Sequence, residues 1–325
     1  MAHLLENMAY VGQPPWHQLG HQLPPAQPIE VWAKCAGMDW SICETPVRYT
    51  AEQGGDPGDL KTVNDQKVLF RSDTKESLSV VGSRYQVVQP QTVLEFYRDL
   101  TEVSGFELET AGVLKGGRKF WALAKMGKSA TLKGSDVVHG YILLASSCDG
   151  TLATVATPTS VRVVCNNTLA VALTGATEAI RVPHSTRFDA QAVKQRLGIA
   201  VSHWDGFMYR MKSLAERRIK SHEATNYFLR VMCPSDSSGP SRGVGAVPVN
   251  DRALQAVQAL YDGQGKGAEF ASARGTAWGL LNAVTEYVDH MRRARSQDHR
   301  LDSAWFGLGA GLKQRALDHA LQLVS

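Results

Sequence analysis

The chain has only five cysteines in 325 residues, Cys35, Cys43, Cys148, Cys165 and Cys233, and no pair of them has C-x-x-C spacing. An odd, scattered set argues against both a disulfide framework and a zinc ribbon, and it fits a reducing cytoplasm. No apolar stretch approaches membrane-spanning length without polar interruption. The opening MAHLLENMAYVG lacks the basic start and sustained apolar core of a signal peptide, so a soluble cytoplasmic protein with no membrane partner is expected. Also absent are a G-x-x-x-x-G-K-[ST] phosphate loop, a G-x-G-x-x-G turn after a strand, an H-E-x-x-H helix and a G-x-S-x-G elbow. Their absence argues against an ordinary ATPase, dehydrogenase, zinc protease or serine hydrolase. No catalytic residue and no cofactor is assigned.

Hydrophobic residues make up 43% and charged residues 20%, the balance of a folded chain with a core. The formal charge of +4 permits nucleic-acid binding without demanding it. Its distribution is uneven: Lys194, Arg196, Arg210, Lys212, Arg217, Arg218 and Lys220 face only Asp205 and Glu216 in the same segment, a net of +5. A basic helical face is expected there.

Most of the interpretable pattern is concentrated in residues 137–173. Two apolar runs, Val138 to Ser147 and Leu152 to Thr157, flank Cys148-Asp149-Gly150-Thr151, a hairpin signal because Asp and Gly tolerate positive φ. Val161 to Cys165 continues as strand. Asn166-Asn167-Thr168 then offers capping side chains ahead of the helix formers Leu169 to Leu173. Arg162, Asn166 and Asn167 would thus stand at a strand-to-helix junction suited to phosphate or carboxylate. Arg162 interrupts an otherwise apolar strand, so it meets either an external anion or an internal carboxylate.

Elsewhere Pro14-Pro15-Trp16-His17 reads as a packed N-terminal clasp, Ile29 to Ala36 as a short helix, Trp40 to Arg48 as a strand and Ala51 to Asp59 as a Gly-rich loop. Lys67 to Arg71 and Leu78 to Val81 form a hairpin, and Thr92 to Val103 a helix stopped by Gly105. A second hairpin, Phe106 to Leu114 with Lys119 to Met126, presents Lys115, Arg118 and Lys119 around two glycines. That tip either approaches phosphates or is a solvated turn. Arg84-Tyr85 repeats the pairing of cation with ring that single-strand binding uses.

Val193 to Cys233 is expected to be mostly helical. The Pro-, Gly- and Ser-rich residues 234–249 read as a linker, and three helices follow, over Arg252 to Tyr261, Thr276 to Arg295 and Leu312 to Val324. The expected organisation is α+β: a core of antiparallel β-hairpins packed on helices (β-β-β-α-like) over 1–233, then the linker, then a helical region over 250–325. In the last region Glu286 and His290 share a helical face at i, i+4 with Asp289 beside them. They are candidates for a divalent cation, or for ion pairs with Arg292, Arg293 and Arg295.

Five separated motifs carry a resemblance: Trp16-His17-x-Leu19-Gly20, Val81-Gly82-x-Arg84-Tyr85, Gly116-Gly117-Arg118-Lys119-x-Trp121, Val161-Arg162-Val163-Val164-Cys165-x-Asn167-Thr168-Leu169, and Asn282 to His290. In this order they resemble the phage/plasmid-like protein family, a domain of unknown function numbered nine hundred and thirty-two. The resemblance implies a mobile-element gene expressed in a bacterial cytoplasm and carries no catalytic residue. At the level of architecture alone, hairpins followed by a helix are similar to phage single-strand annealing proteins. The expected function is single-stranded nucleic-acid binding by a homo-oligomer, through Arg84, Tyr85, Lys115, Arg118, Lys119, Arg162, Asn166, Asn167, Arg217, Arg218 and Lys220. A metal-dependent enzyme acting on nucleic acid or nucleotides, and a phage assembly or host-interaction protein, are the alternatives.

Overall fold

The structure is a computed structural model. It describes residues 5–12, 20–53, 56–104, 106–162, 167–170, 179–233 and 251–324. The Pro14-Pro15-Trp16-His17 clasp, Asn166 and the 234–249 linker lie outside them.

The described chain begins with strands β1 (Leu5–Val11) and β2 (His21–Leu23), helix α1 (Ile29–Cys35), and strands β3 (Ile42–Gln53), β4 (Asp56–Arg71) and β5 (Ser77–Gly82). Helix α2 (Pro90–Ser104) follows, then β6 (Glu107–Leu114), β7 (Lys119–Thr131), β8 (Val137–Ser147), β9 (Thr154–Arg162), β10 (Asn167–Ala170) and β11 (Ile180–Val182). The remainder is helical: α3 (Ala190–Ser202), α4 (Trp204–Glu216), α5 (Ser221–Met232), α6 (Asp251–Ala259), α7 (Ala277–Glu286), α8 (Gln297–Phe306) and α9 (Leu308–Leu321). Wide, π-type turns extend α6 over Leu260–Gln264 and α7 over Tyr287–Met291. The protein is α+β, with antiparallel hairpins and a helical C-terminal region.

Among the described residues, the larger sheet runs β10-β9-β8-β7-β6-β1-β2, with β11 also on β9, and the smaller one runs β3-β4-β5. The chain folds into two compact units, one of residues 1–127, 142–157 and 179–198, the other of residues 128–141, 158–178 and 199–325. Helices α4 and α5 fall in the second unit, with the helices after residue 251.

In the first unit, α2 buries Val93, Leu94, Phe96 and Tyr97, the helical spacing of one face. Tyr97 is wholly buried, and its hydroxyl donates to the carbonyls of Ala122 and Ile142, both at 3.0 Å. Burial drives its pKa well upward. Phe120 and Trp121, neighbours on β7, are both buried, as on a central strand covered on both faces. Strand β9 contains Pro158, which cannot donate to a ladder; β11 pairs only Thr154 to Ala156 and β10 only Thr159 to Arg162, so neither needs a donor from the proline.

Two local expectations are overturned. The described part of residues 51–59 is strand and not loop: Ala51 to Gln53 and Asp56 to Asp59 lie in β3 and β4, whose ladder runs out to Gln53 and Asp56. The helix expected after Asn166-Asn167-Thr168 is, in its described part, strand β10, in which Asn167 opposes Arg162 and Thr168 opposes Val161. Caps define a helix only when no stronger partner claims the backbone. Here the Thr168 N–H donates to Asp289 Oδ2 at 2.9 Å, an interaction spanning 121 positions in sequence.

In the second unit, α7 is buried on every side, from Ala277 to Glu286, and packs against α4, α5 and α9. Gly279 permits the closest approach, since a Cβ there would lie 2.1 Å from the Ala273 carbonyl oxygen.

Candidate functional site

Arg162 is 3% exposed and fixed within the second unit. Its Nε and Nη2 donate to the two carboxylate oxygens of Asp136 at 2.8 and 2.9 Å, a bidentate geometry. Nη1 and Nη2 also reach the carbonyls of Lys266 and Gly267 at 3.3 and 3.0 Å. Asp136, wholly buried, accepts further bonds from Ser272 Oγ at 2.5 Å and Trp278 Nε1 at 3.0 Å. The anion that Arg162 requires is thus internal, which resolves the alternative left open above in favour of the structural role. The Asn167 backbone lies beside it in β10, in a ladder and not at a helix N-terminus.

The hairpin tip is likewise part of the first unit's packing. Lys115 and the two glycines turn the chain with φ of 54°, 70° and 89°. A Cβ on Gly117 would come within 2.8 Å of Trp40 Cζ2 and 3.1 Å of Arg71 Nη1. Arg71 in turn lies 4.2 Å over the Trp40 ring and pairs with Asp73 at 2.7 Å. Gly117 thus admits the indole and guanidinium and Gly116 supplies the positive φ of the turn, so neither needs a phosphate to account for it. Lys119 is buried and Arg118 is exposed. Arg84 is exposed, whereas Tyr85 stacks on His184 with centroids 4.4 Å apart and donates to the Ser147 carbonyl at 2.9 Å. Burial pushes that phenol upward.

The basic segment breaks into α3, α4 and the start of α5. Arg217 pairs with Glu223 at 2.6 Å and donates to the Leu323 carbonyl, and Arg218 donates to the Arg274 carbonyl at 2.8 Å. Lys220 is exposed. The two arginines join elements of the second unit, although Arg218, like Lys220, is exposed.

Nor do Glu286, Asp289 and His290 form a cation site. Asp289 is held by Lys313 Nζ at 2.8 Å and by Thr168, while both Glu286 oxygens accept the Lys266 N–H at 3.2 and 3.1 Å. Burial raises the Glu286 pKa above the usual carboxylate value, which further disfavours the charge a cation needs. The i, i+4 argument assumes a uniform α-helix; α7 widens at Tyr287, so residues 286 and 290 do not keep that spacing. Among the described residues no group of three His, Cys, Asp or Glu side chains could hold a metal.

The stretch that follows is not singled out by sequence pattern. The wide turn ends at Arg292, whose backbone is extended with ψ 130°, and the chain runs on to Ser296, which caps α8 by accepting the His299 N–H at 3.3 Å. Residues 292–295 therefore leave the helix instead of continuing along a wet helical face. With α8 they enclose a cleft of about 650 Å³ lined by Val288, Arg292, Arg293, Ala294, Arg295, His299, Arg300 and Ser303. Four arginines and a histidine line it, and among the described residues no carboxylate does. Arg292 is braced by Ser303 Oγ at 3.3 Å and Arg300 by the His290 carbonyl, whereas Arg293 and Arg295 are exposed. Planar guanidiniums around a concavity, next to a helix N-terminus, suit phosphate oxygens. The signal in the sequence is Arg-Arg-Ala-Arg-Ser, an arginine run directly before a capping serine.

No helix among the described residues is long and apolar enough to cross a membrane. No curated protein and no solved structure matches the chain. A family model, described as Domain of unknown function (DUF932), matches residues 77–305, more than half of the chain, and spans the buried Arg162 network and the arginine cleft. The chain belongs to that family.

Proposed function

We propose that the protein binds single-stranded nucleic acid, with the arginine cleft as its main phosphate contact. The observation that carries this reading is the cleft's composition: four arginines and a histidine around one concavity. Base stacking has a candidate as well. Tyr209 on α4 is 73% exposed, three positions before the exposed Lys212, and a free ring beside a cation takes an unpaired base. Arg84, Arg118 and Lys220 are exposed and available to add phosphate contacts. Strand annealing as the biological task, a homo-oligomeric assembly and a phage or mobile-element setting in a bacterial cytoplasm are further parts of this proposal, drawn from the resemblance.

The test is fluorescence anisotropy of a labelled oligothymidylate across a salt series. Affinity should fall linearly with log salt. Joint replacement of Arg293 and Arg295 by alanine should lower the slope by about 1.4, at ~0.7 per single-strand phosphate contact. The melting temperature should hold, since both side chains are exposed. No binding at low salt, or an unchanged slope in the double variant, would overturn the proposal.

A further inference from the structure

Among the described residues, the outer part of the smaller sheet has only two strands. Strand β5 pairs with β4 from Gln66 to Phe70, while β3 and β4 continue together over Val47 to Gln53 and Asp56 to Val63. No described side chain from Cys43 to Val68 is buried, and Tyr49 and Leu60 are 51% and 63% exposed. An isolated two-stranded ribbon is marginal in water, and three or more strands are needed for stability. A ribbon of this length with no described side chain buried therefore calls for another strand.

Its two edges differ. The β4 edge carries Pro57, Gly58 and Lys61, residues that discourage strand pairing. On β3, the ladder is irregular between Pro46 and Val47 and again between Ala51 and Gln53, both times through extra residues on β4, and the proline and the first irregularity lie at the base. Beyond them Val47 to Gln53, VRYTAEQ, has neither proline nor lysine and includes the strand formers Val47, Tyr49 and Thr50. Residues 47–63 hold two basic residues, Arg48 and Lys61, against the acidic Glu52, Asp56 and Asp59, so the ribbon does not suit a polyanion. Its charge pattern suits itself. Antiparallel pairing of β3 with β3 of a second copy, about a two-fold axis at Thr50, sets Arg48 opposite position 52 of the other copy, a glutamate, twice over. It also sets Tyr49 opposite Ala51.

We infer that the outer β3 edge, Val47 to Gln53, is an interface with a second copy of this chain, joining two ribbons into a four-stranded sheet by an isologous pairing centred on Thr50. Opposite charges directly across strands favour this register, and like charges there oppose it.

Light scattering on the eluting full-length protein, without nucleic acid, should show a dimer or an even multiple of it. Arg48→Glu and Glu52→Arg should each weaken association roughly tenfold, since each turns two attractive cross-strand pairs into two repulsive ones. The double reversal, R48E with E52R, should restore it. Thr50→Cys should cross-link on mild oxidation beyond the level of the unaltered protein, because directly opposed strand residues lie within disulfide reach. A monomeric parent protein, assembly that appears only with nucleic acid, single reversals without effect, or a double reversal that does not recover would each overturn the inference.

Discussion

Replacing Arg162 by alanine tests the buried network most directly. The guanidinium donates twice to Asp136 and once each to the carbonyls of Lys266 and Gly267. After truncation Asp136, wholly buried, keeps the Ser272 and Trp278 donors among the described residues for its negative charge. Removing one partner of a buried ion pair costs about 3 to 5 kcal/mol, because the survivor stays charged without compensation. The two carbonyls stripped of their donor add to this, at about 1–3 kcal/mol for each one left unsatisfied, so the upper part of the range is expected. Urea unfolding of the parent, Arg162→Ala, Asp136→Asn and the double variant forms a cycle that isolates the pair. The two singles should not add, because either one already breaks the pair. Single-strand affinity of the folded fraction should be unchanged. A loss under about 1 kcal/mol, well below the range for a broken buried pair, accompanied by lost binding, would refute the structural assignment and return Arg162 to the ligand.

Gly117→Ala should destabilise the first unit by about 1–3 kcal/mol, since the new methyl is forced into positive φ and against the Trp40 ring; differential scanning calorimetry measures it, and a neutral result would mean the hairpin tip is not packed as described. Asp73 gives a pH dependence: the Arg71 hydrogen bonds lower its pKa to about 2, below its unfolded value of 3.8. A depressed carboxyl stabilises the fold fully above its unfolded pKa and loses that contribution as pH falls through 4 toward 2. Asp73→Asn should flatten the acid limb of the stability profile across that window, modestly because the carboxylate is 44% exposed.

Local pattern carries the elements whose partners are near in sequence. Apolar runs around Cys148-Asp149-Gly150 mark β8 and β9, and the spacing of Val93, Leu94, Phe96 and Tyr97 marks α2. Pattern fails where a distant group decides. Asn167 and Thr168 have the chemistry of a helix start, but Asp289 claims the Thr168 N–H and the chain pairs along β9. Arg162 looks like a ligand-binding group because its carboxylate lies 26 positions earlier, in a stretch with no pattern to mark it. The arginine cleft is hidden as long as the helix is taken to continue past Met291. Helix pitch is set by packing, and the wide turn there redirects three arginines that an even helix would spread over solvent.

The Asp289–Lys313 pair also bears on where the folding unit ends. The family match stops at residue 305, yet Lys313 on α9 neutralises a carboxylate that is 5% exposed, and the Ala316 carbonyl on the same helix accepts the buried Tyr227 hydroxyl at 2.8 Å. A chain cut at the family boundary would leave the acid without its lysine, held by the Thr168 donors, and the phenol without its Ala316 acceptor. Sequence similarity therefore marks a shorter segment than physical completeness does, and α9 belongs to the minimal folded protein.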